Sequence, residues 1–246
     1  MENRTDKNSY TIIFAIGMVL LVGALLAFTA SSLKPNIGEN KRLEKQQNIL
    51  YAMGVNENDE SSANFVSTTD APALFKKYIK KQLIIESGKV KEDNEAYLID
   101  VKKEQTRAKS GKARRLPLLV GEKDGKTFYI APIRGKGLWD AIWAYVAMDK
   151  NMVVQGAYFD HKGETPGLGA NITQRFFMDD FIGEHLMSNG KFKGIDVAKG
   201  NADPKNTDKT DNEVDAIAGA TITGNGVSAM IKSDLKLYVS YFETLK

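Results

Sequence analysis

Leu116-Pro-Leu-Leu-Val-Gly121 and Thr127-Phe-Tyr-Ile-Ala-Pro132 flank Lys123-Asp124-Gly125, and this stretch decides the fold class. Two β-prone runs around an Asp-Gly pair read as a hairpin, because that pair tolerates the positive φ angles of a tight turn. Downstream, Trp139-Asp-Ala-Ile-Trp-Ala-Tyr-Val-Ala-Met148 leads through Asp149-Lys-Asn151 to Val153-Val-Gln-Gly-Ala-Tyr-Phe-Asp160, a second strand pair. Ala141, Trp143, Tyr145 and Ala147 alternate with Ile142, Ala144, Val146 and Met148, so both faces of this strand are expected to be at least partly buried. Ile195-Asp-Val-Ala198 adds a short strand. Sequential strands of this kind predict an antiparallel-rich sheet.

Helical periodicities surround the strands. Residues 39–53 place Leu43, Gln47, Leu50 and Gly54 on one face and read as a short polar helix. Ala71 to Ile85 has Leu74, Tyr78 and Ile85 at helical spacing, with Pro72 in the first turn. Gln174 to Met187 repeats the pattern with Phe177, Phe181 and His185. Residues 56–69 and 201–212 are polar and read as loops. Val101 to Arg115 carries seven bases against one acid, Glu104, and reads as a solvated face rather than a lipid-headgroup contact.

No charged residue lies between Lys7 and Lys34. Tyr10 to Ala30 is long enough, at ~1.5 Å per residue, to cross a ~30 Å hydrocarbon core. A cleaved signal peptide is the rival reading, but its apolar region is ordinarily only ~7–15 residues long. The stretch is therefore expected to be a retained single span in contact with membrane lipid. Bases are more frequent on its C-terminal flank (Lys34, Lys41, Arg42, Lys45) than on its N-terminal flank (Arg4, Lys7). Taken alone, that places the large domain in the cytoplasm, although a large domain can translocate regardless of charge. The chain is thus expected to be α+β: a tail and transmembrane helix over 1–34, a helical and linker region over 35–115, and one mixed domain over 116–246.

Composition narrows the chemistry. The chain of 246 residues is 42% apolar and 26% charged, with a net charge of +3, too mild to argue for nucleic acid. It has no cysteine, which excludes disulfides, thiolate chemistry and iron–sulfur ligation on this chain. Only His161 and His185 could supply imidazole, so no metal site is expected. Any redox work would have to be carried by an organic cofactor.

Near the C-terminus, Asp215-Ala-Ile-Ala-Gly-Ala-Thr221-Ile-Thr223-Gly-Asn-Gly226 is built from small residues and opens onto an apolar-periodic segment, 227–245. Asn225 is expected to cap that helix. Free N–H groups and the positive dipole end would then lie close to Thr221, a favourable place for a phosphate. Asp215-x-x-x-Gly219-Ala220-Thr221 resembles the flavinylation motif of FMN-binding domains, with Ala218 where that family usually carries Ser or Thr. The resemblance implies FMN joined by a flavin transferase, through its phosphate, to Thr221. Thr223 is the competing hydroxyl; the family pattern favours Thr221, and Thr223 is expected to donate to the phosphate.

Two further stretches resemble the same family. Gly135-Lys-Gly-Leu138-Trp139 offers an apolar and an aromatic surface beside a hinge. His161-Lys-Gly-Glu164-Thr165-Pro166-Gly167-Leu168-Gly169 is a rigid turn with exposed backbone. In the family these segments surround the FMN. Without the resemblance, Trp139 would read as a core aromatic and Glu164 as a structural turn carboxylate or a proton acceptor. The three motifs in this order, behind one span, are most similar to the C-subunit family of sodium-translocating NADH:quinone oxidoreductases. They resemble the G subunits of ferredoxin-linked Rnf complexes less well. The resemblance implies an inner-membrane flavoprotein with a periplasmic flavin domain, relaying electrons among the other subunits of a translocating complex. No Gly-x-Gly-x-x-Gly fingerprint follows a strand, so NADH oxidation is expected elsewhere. A membrane-tethered module holding an unlinked phosphate ligand is the reading from a different class.

Overall fold

A computed structural model describes residues 8–59, 62–200, 203 and 205–245. Arg4 and Lys7, parts of the loops 56–69 and 201–212, and the final lysine lie outside the described residues. The chain divides into two units, one up to Leu43 and one from Glu44 onward.

Helix α1 (Asn8–Ala52) is long and apolar enough to cross a membrane. Its side chains over 8–42 are exposed, including Ile13, Leu26 and Phe28. Pro35 lies inside it without ending it, removing one N–H donor from the ladder. The polar helix expected over 39–53 is therefore the continuation of α1, and its residues Gln46 and Asn48 to Ala52 are buried.

The unit from Glu44 is built on a six-stranded antiparallel sheet. In sequence order its strands are β1 (Ile79–Glu86), β2 (Lys89–Glu92), β3 (Leu116–Lys123), β4 (Lys126–Lys136), β5 (Ala141–Met148) and β6 (Val154–His161). Their order across the sheet is β2-β1-β3-β4-β5-β6. The β3–β4 hairpin turns at Asp124 and Gly125, both at positive φ (51° and 74°), as an Asp-Gly turn requires. Both faces of β5 are largely buried.

Two helical expectations are corrected. The helix read over 71–85 stops early: α2 (Ala71–Tyr78) gives way to β1 at Ile79. Three apolar residues at helical spacing are also compatible with a strand. Pairing of Gln82 to Ile85 with Leu119 to Leu116 decides in favour of the sheet, which thereby enters the region expected to be helical and linker. Likewise the helix read over 174–187 is only α4 (Arg175–Asp180), after which the chain turns with Gly183 at φ 89°. Phe177 and Phe181 still pack on Phe159, with ring centroids 5.5 and 4.8 Å away. His185 leaves the helix to bridge Val153.

The chain then forms the small hairpin β7 (Met187–Ser188) and β8 (Lys191–Phe192), followed by β9 (Asp196–Ala198) and β10 (Glu213–Asp215), which pair in parallel. Helix α5 (Thr221–Asp234) lies against β4, and α6 (Val239–Glu243) ends the described fold. Glycine permits the close approach of α5: a Cβ on Gly226 would overlap the Lys136 carbonyl, and one on Gly135 would lie 2.7 Å from Met230 Cβ.

The basic run is not simply a solvated face. In α3 (Val101–Lys109), Glu104 is buried and bonds the Arg115 guanidinium at 2.9 and 2.5 Å. Arg114 pairs bidentately with buried Asp234 of α5, at 2.8 and 3.0 Å, and the Arg134 N–H donates to the same carboxylate at 3.0 Å. This carboxylate pins the far end of α5 to β4. Asp234→Ala would strand the Arg114 charge, and a loss of about 3–5 kcal/mol in urea unfolding is expected.

Glu184 is a third buried acid, with 0% exposure and hydrogen-bond partners for neither oxygen among the described residues. Burial pushes its carboxyl up to about 7, against the attraction of Lys209 at 3.6 Å. A folded-state value above the ordinary 4.5 means that stability falls as pH rises between about 4.5 and 7. Glu184→Gln is expected to flatten that decline and to add roughly 1–3 kcal/mol at pH 8, read from denaturation midpoints across the pH range.

Candidate cofactor site at the start of helix α5

Helix α5 begins at Thr221 itself, with Ala220 before it and no side-chain cap; Asn225 lies inside the helix, which corrects its expected role as the cap. The first helical hydrogen bond runs from the Gly224 N–H to the Ala220 carbonyl, 2.9 Å. The N–H groups of Thr221, Ile222 and Thr223 precede it and have no carbonyl in their own helix to reach. Gly219, at φ 74°, makes the turn into the helix.

The two threonines differ sharply. Thr223 is 1% exposed and donates its hydroxyl to Glu164 Oε2 at 2.6 Å. Thr221 is exposed, and its hydroxyl has no hydrogen-bond partner among the described residues. Helical geometry accounts for the contrast: residues two apart in a helix point in directions ~200° different.

Glu164 joins the three motifs. It is 4% exposed, and its other oxygen accepts the Trp139 N–H at 3.0 Å. Its own N–H donates to His161 Nδ1 at 3.1 Å, so His161 shapes the turn. Burial alone would raise the carboxyl, but the Thr223 hydroxyl and the N–H groups of Trp139, Leu138 and Asp140 more than offset this and hold it below its ordinary value. Two glycines leave room for it: a Cβ on Gly137 would stand 2.5 Å from Oε1, and one on Gly169 would stand 2.6 Å from Oε2.

These residues enclose a cavity of about 240 Å³, lined by Leu138, Glu164, Thr165, Leu168, Gly169, Gly219, Ala220, Thr221, Ile222 and Thr223. Its rim is apolar and open to solvent, with Leu138 42% and Leu168 41% exposed. Trp139 stands outside the lining, 67% exposed, with its indole N–H donating to Thr165 Oγ1 at 3.1 Å. It is therefore not a core aromatic. Pro166 and Gly167 form the turn behind the lining, and Asp215 stands upstream on β10, its N–H donating to Asp180 Oδ2 at 3.0 Å. Burial, with Asp180 and Asp203 nearby, pushes the Asp215 carboxyl up. Ile222 is the lining residue that sequence reasoning passed over; starting the helix at Thr221 instead of beyond Asn225 would have placed it in the first turn. A larger cleft, about 540 Å³, lies at the β3–β4 hairpin between Lys77, Lys80 and Lys123. None of its side chains is a buried polar group, and the smaller cavity has the convergent chemistry.

An FMN-binding domain model matches residues 137–236, a span that takes in every motif from Gly137 to Thr223. The C subunit of the Na(+)-translocating NADH-quinone reductase of Vibrio alginolyticus is 29% identical over 92% of this chain and 90% of its own length. The crystal structure of the C subunit of this reductase from Parabacteroides distasonis superposes with a TM-score of 0.72 and 32% identity, over 85% of this chain and 96% of that one. The chain belongs to the family of NADH-quinone reductase C subunits. NqrC of Shewanella oneidensis shares the fold as well, with a TM-score of 0.67 and 28% identity, over 84% of this chain and 98% of that one. Membership in the C-subunit family accords with an α+β fold in which an antiparallel sheet follows one long apolar helix.

The packing around Glu164 is testable. Gly169→Ala would drive a methyl group into the carboxylate and the Thr223 hydroxyl, and a destabilisation of about 1–3 kcal/mol is expected from thermal unfolding. Gly163→Ala, whose added carbon meets nothing within 4 Å, is expected to unfold like the parent.

Proposed function

We propose that this chain is a membrane-anchored flavoprotein subunit of a sodium-translocating NADH-quinone reductase, with FMN held covalently through its phosphate on Thr221. The Thr221 hydroxyl, exposed and without a hydrogen-bond partner among the described residues at the first residue of α5, carries this reading. FMN would supply reversible one-electron chemistry that no side chain of this cysteine-free chain offers.

The residues present fit such a group. The N–H groups of the first turn and the positive end of α5 favour a phosphate ester at Thr221. Ligand pockets commonly measure ≈ 300–1,000 Å³, so a cavity of about 240 Å³ suits the phosphate and ribityl portions better than a whole flavin. Leu138, Leu168 and Ile222 would hold the flat ring against the rim, with Trp139 beside it and Thr165 steadying the indole. Gly219, Ala220 and Gly169 keep bulk away from the linkage. Thr223 is held by Glu164, which favours Thr221 as the point of attachment.

A ring standing on an exposed rim would be lost by dissociation unless tethered, and the same exposure lets neighbouring subunits approach it. The chain would then act as an electron relay between other subunits. Its apolar helix would serve as a single-pass anchor in the inner membrane, with the flavin domain on the periplasmic side. A flavin transferase would be the maturation partner. The motif residue Asp215, on the strand entering the site, would position the segment for that enzyme, its N–H already tied to Asp180.

Thr221→Ala is expected to abolish in-gel flavin fluorescence under denaturing conditions, whereas Thr223→Val retains it. Peptide mass spectrometry should find FMN less water on Thr221. Flavin on Thr223, or none on the parent produced with its transferase, refutes the assignment.

A further inference from the structure

Glu164 is an ion buried without a counter-ion. Its carboxylate is 4% exposed and makes no ion pair among the described residues. Lys162, two residues before it, is paired instead with Asp140 at 2.6 Å. Charge buried in this way is ordinarily unfavourable. The Thr223 hydroxyl and backbone N–H dipoles make it tolerable here, and Gly137 and Gly169 allow the chain to close around it. A glutamine could accept the Trp139 N–H on its one carbonyl oxygen and donate its amide N–H to the Thr223 hydroxyl oxygen, so packing alone does not call for the charge.

We propose that Glu164 is a redox-tuning residue: a fixed negative charge in the cavity wall that lowers the reduction potential of a flavin standing on Thr221. The inference rests on the flavin reading above and adds a role for one side chain. Glu164 and Thr221 line the same cavity, and through a poorly polarisable wall the carboxylate acts on whatever that cavity holds. An electron added to the flavin brings negative charge towards a negative charge that cannot move away. The reduced form is therefore destabilised relative to the oxidised form, and the flavin becomes a stronger donor to the next carrier. The Thr223 hydroxyl opposes part of this effect by drawing density from the carboxylate at 2.6 Å.

The test uses the full-length chain produced with a flavin transferase, purified in detergent and titrated at pH 8 with dithionite and redox mediators. Glu164→Gln is expected to keep its flavin and to shift the oxidised-to-reduced ratio at fixed ambient potential at least tenfold towards reduced, about 59 mV for a one-electron step. Titrations that coincide with the parent, or a shift the other way, overturn the proposal. Thr223→Val tests the charge should the Gln variant not fold. It keeps the carboxylate and removes its closest donor, so the ratio should move towards oxidised; no movement, or movement towards reduced, overturns the proposal. A parent without flavin removes the flavoprotein reading and this inference together. Flavin-bearing parent and Gln variant with identical potentials remove this inference only.

Discussion

One carboxylate holds the site together. Glu164 arrives on the turn after β6, accepts a backbone N–H from the segment between β4 and β5, and receives the hydroxyl of a residue 59 positions later in the chain. No two of these three segments are neighbours in sequence, and each brings a different wall of the cavity. A buried acceptor of this kind must be satisfied in full. Its two oxygens therefore fix the distance between the Leu138–Trp139 segment and the first turn of α5. The glycines at 137 and 169 are the corollary, because any side chain there would occupy the space of the carboxylate.

Helix α5 is pinned along its length by similar means. Ser228 accepts the Val197 N–H at 2.8 Å and donates to its own helix at 3.1 Å. Lys232 meets both oxygens of Asp196 at 2.6 Å, and Asp234 gathers Arg114 and the Arg134 N–H. A helix fixed at so many points presents its first residue in one place. A reactive or modified hydroxyl benefits from this arrangement, since rigid elements hold a functional group more closely than loops do. Around Thr221 the surface changes from the buried Glu164–Thr223 pair in the cavity wall to exposed leucine and isoleucine on its rim and tryptophan beside it. Exposed apolar surface of this kind marks a place where something else binds.

Where local pattern and distant pairing disagreed, distant pairing won. Ile79 to Ile85 continues the helical spacing of Leu74 and Tyr78, yet β3 pairs with it apart from one irregularity between Ile79 and Lys81, and a row of backbone hydrogen bonds outweighs three side chains at helical spacing. The 174–187 segment failed as a helix for the same reason: Gly183 turns the chain, and the Val153 bridge captures His185. The basic run of 101–115 looked solvated because two of its acidic partners, Glu86 for Arg107 and Asp234 for Arg114, lie outside it in sequence. Charge counted along a chain says nothing of charge paired across a fold.

Some features were decided by the sequence alone, because their physics is local. The uncharged stretch from residue 8 to 33 forms a helix on its own hydrogen bonds, the Asp124-Gly125 turn needs only its own φ angles, and alternation along β5 specifies a strand buried on both faces. The three motifs were also legible, since small residues and a Thr-Pro-Gly turn are visible as letters. Which threonine stands free was not legible. Thr221 and Thr223 are chemically alike, and only the fold, by setting Glu164 against one of them, buries that hydroxyl and leaves the other exposed. The charge of Glu164 belongs to the tertiary structure for the same reason: a glutamate becomes a buried ion here only when donors from two other segments, 138–140 and the first turn of α5, converge on it.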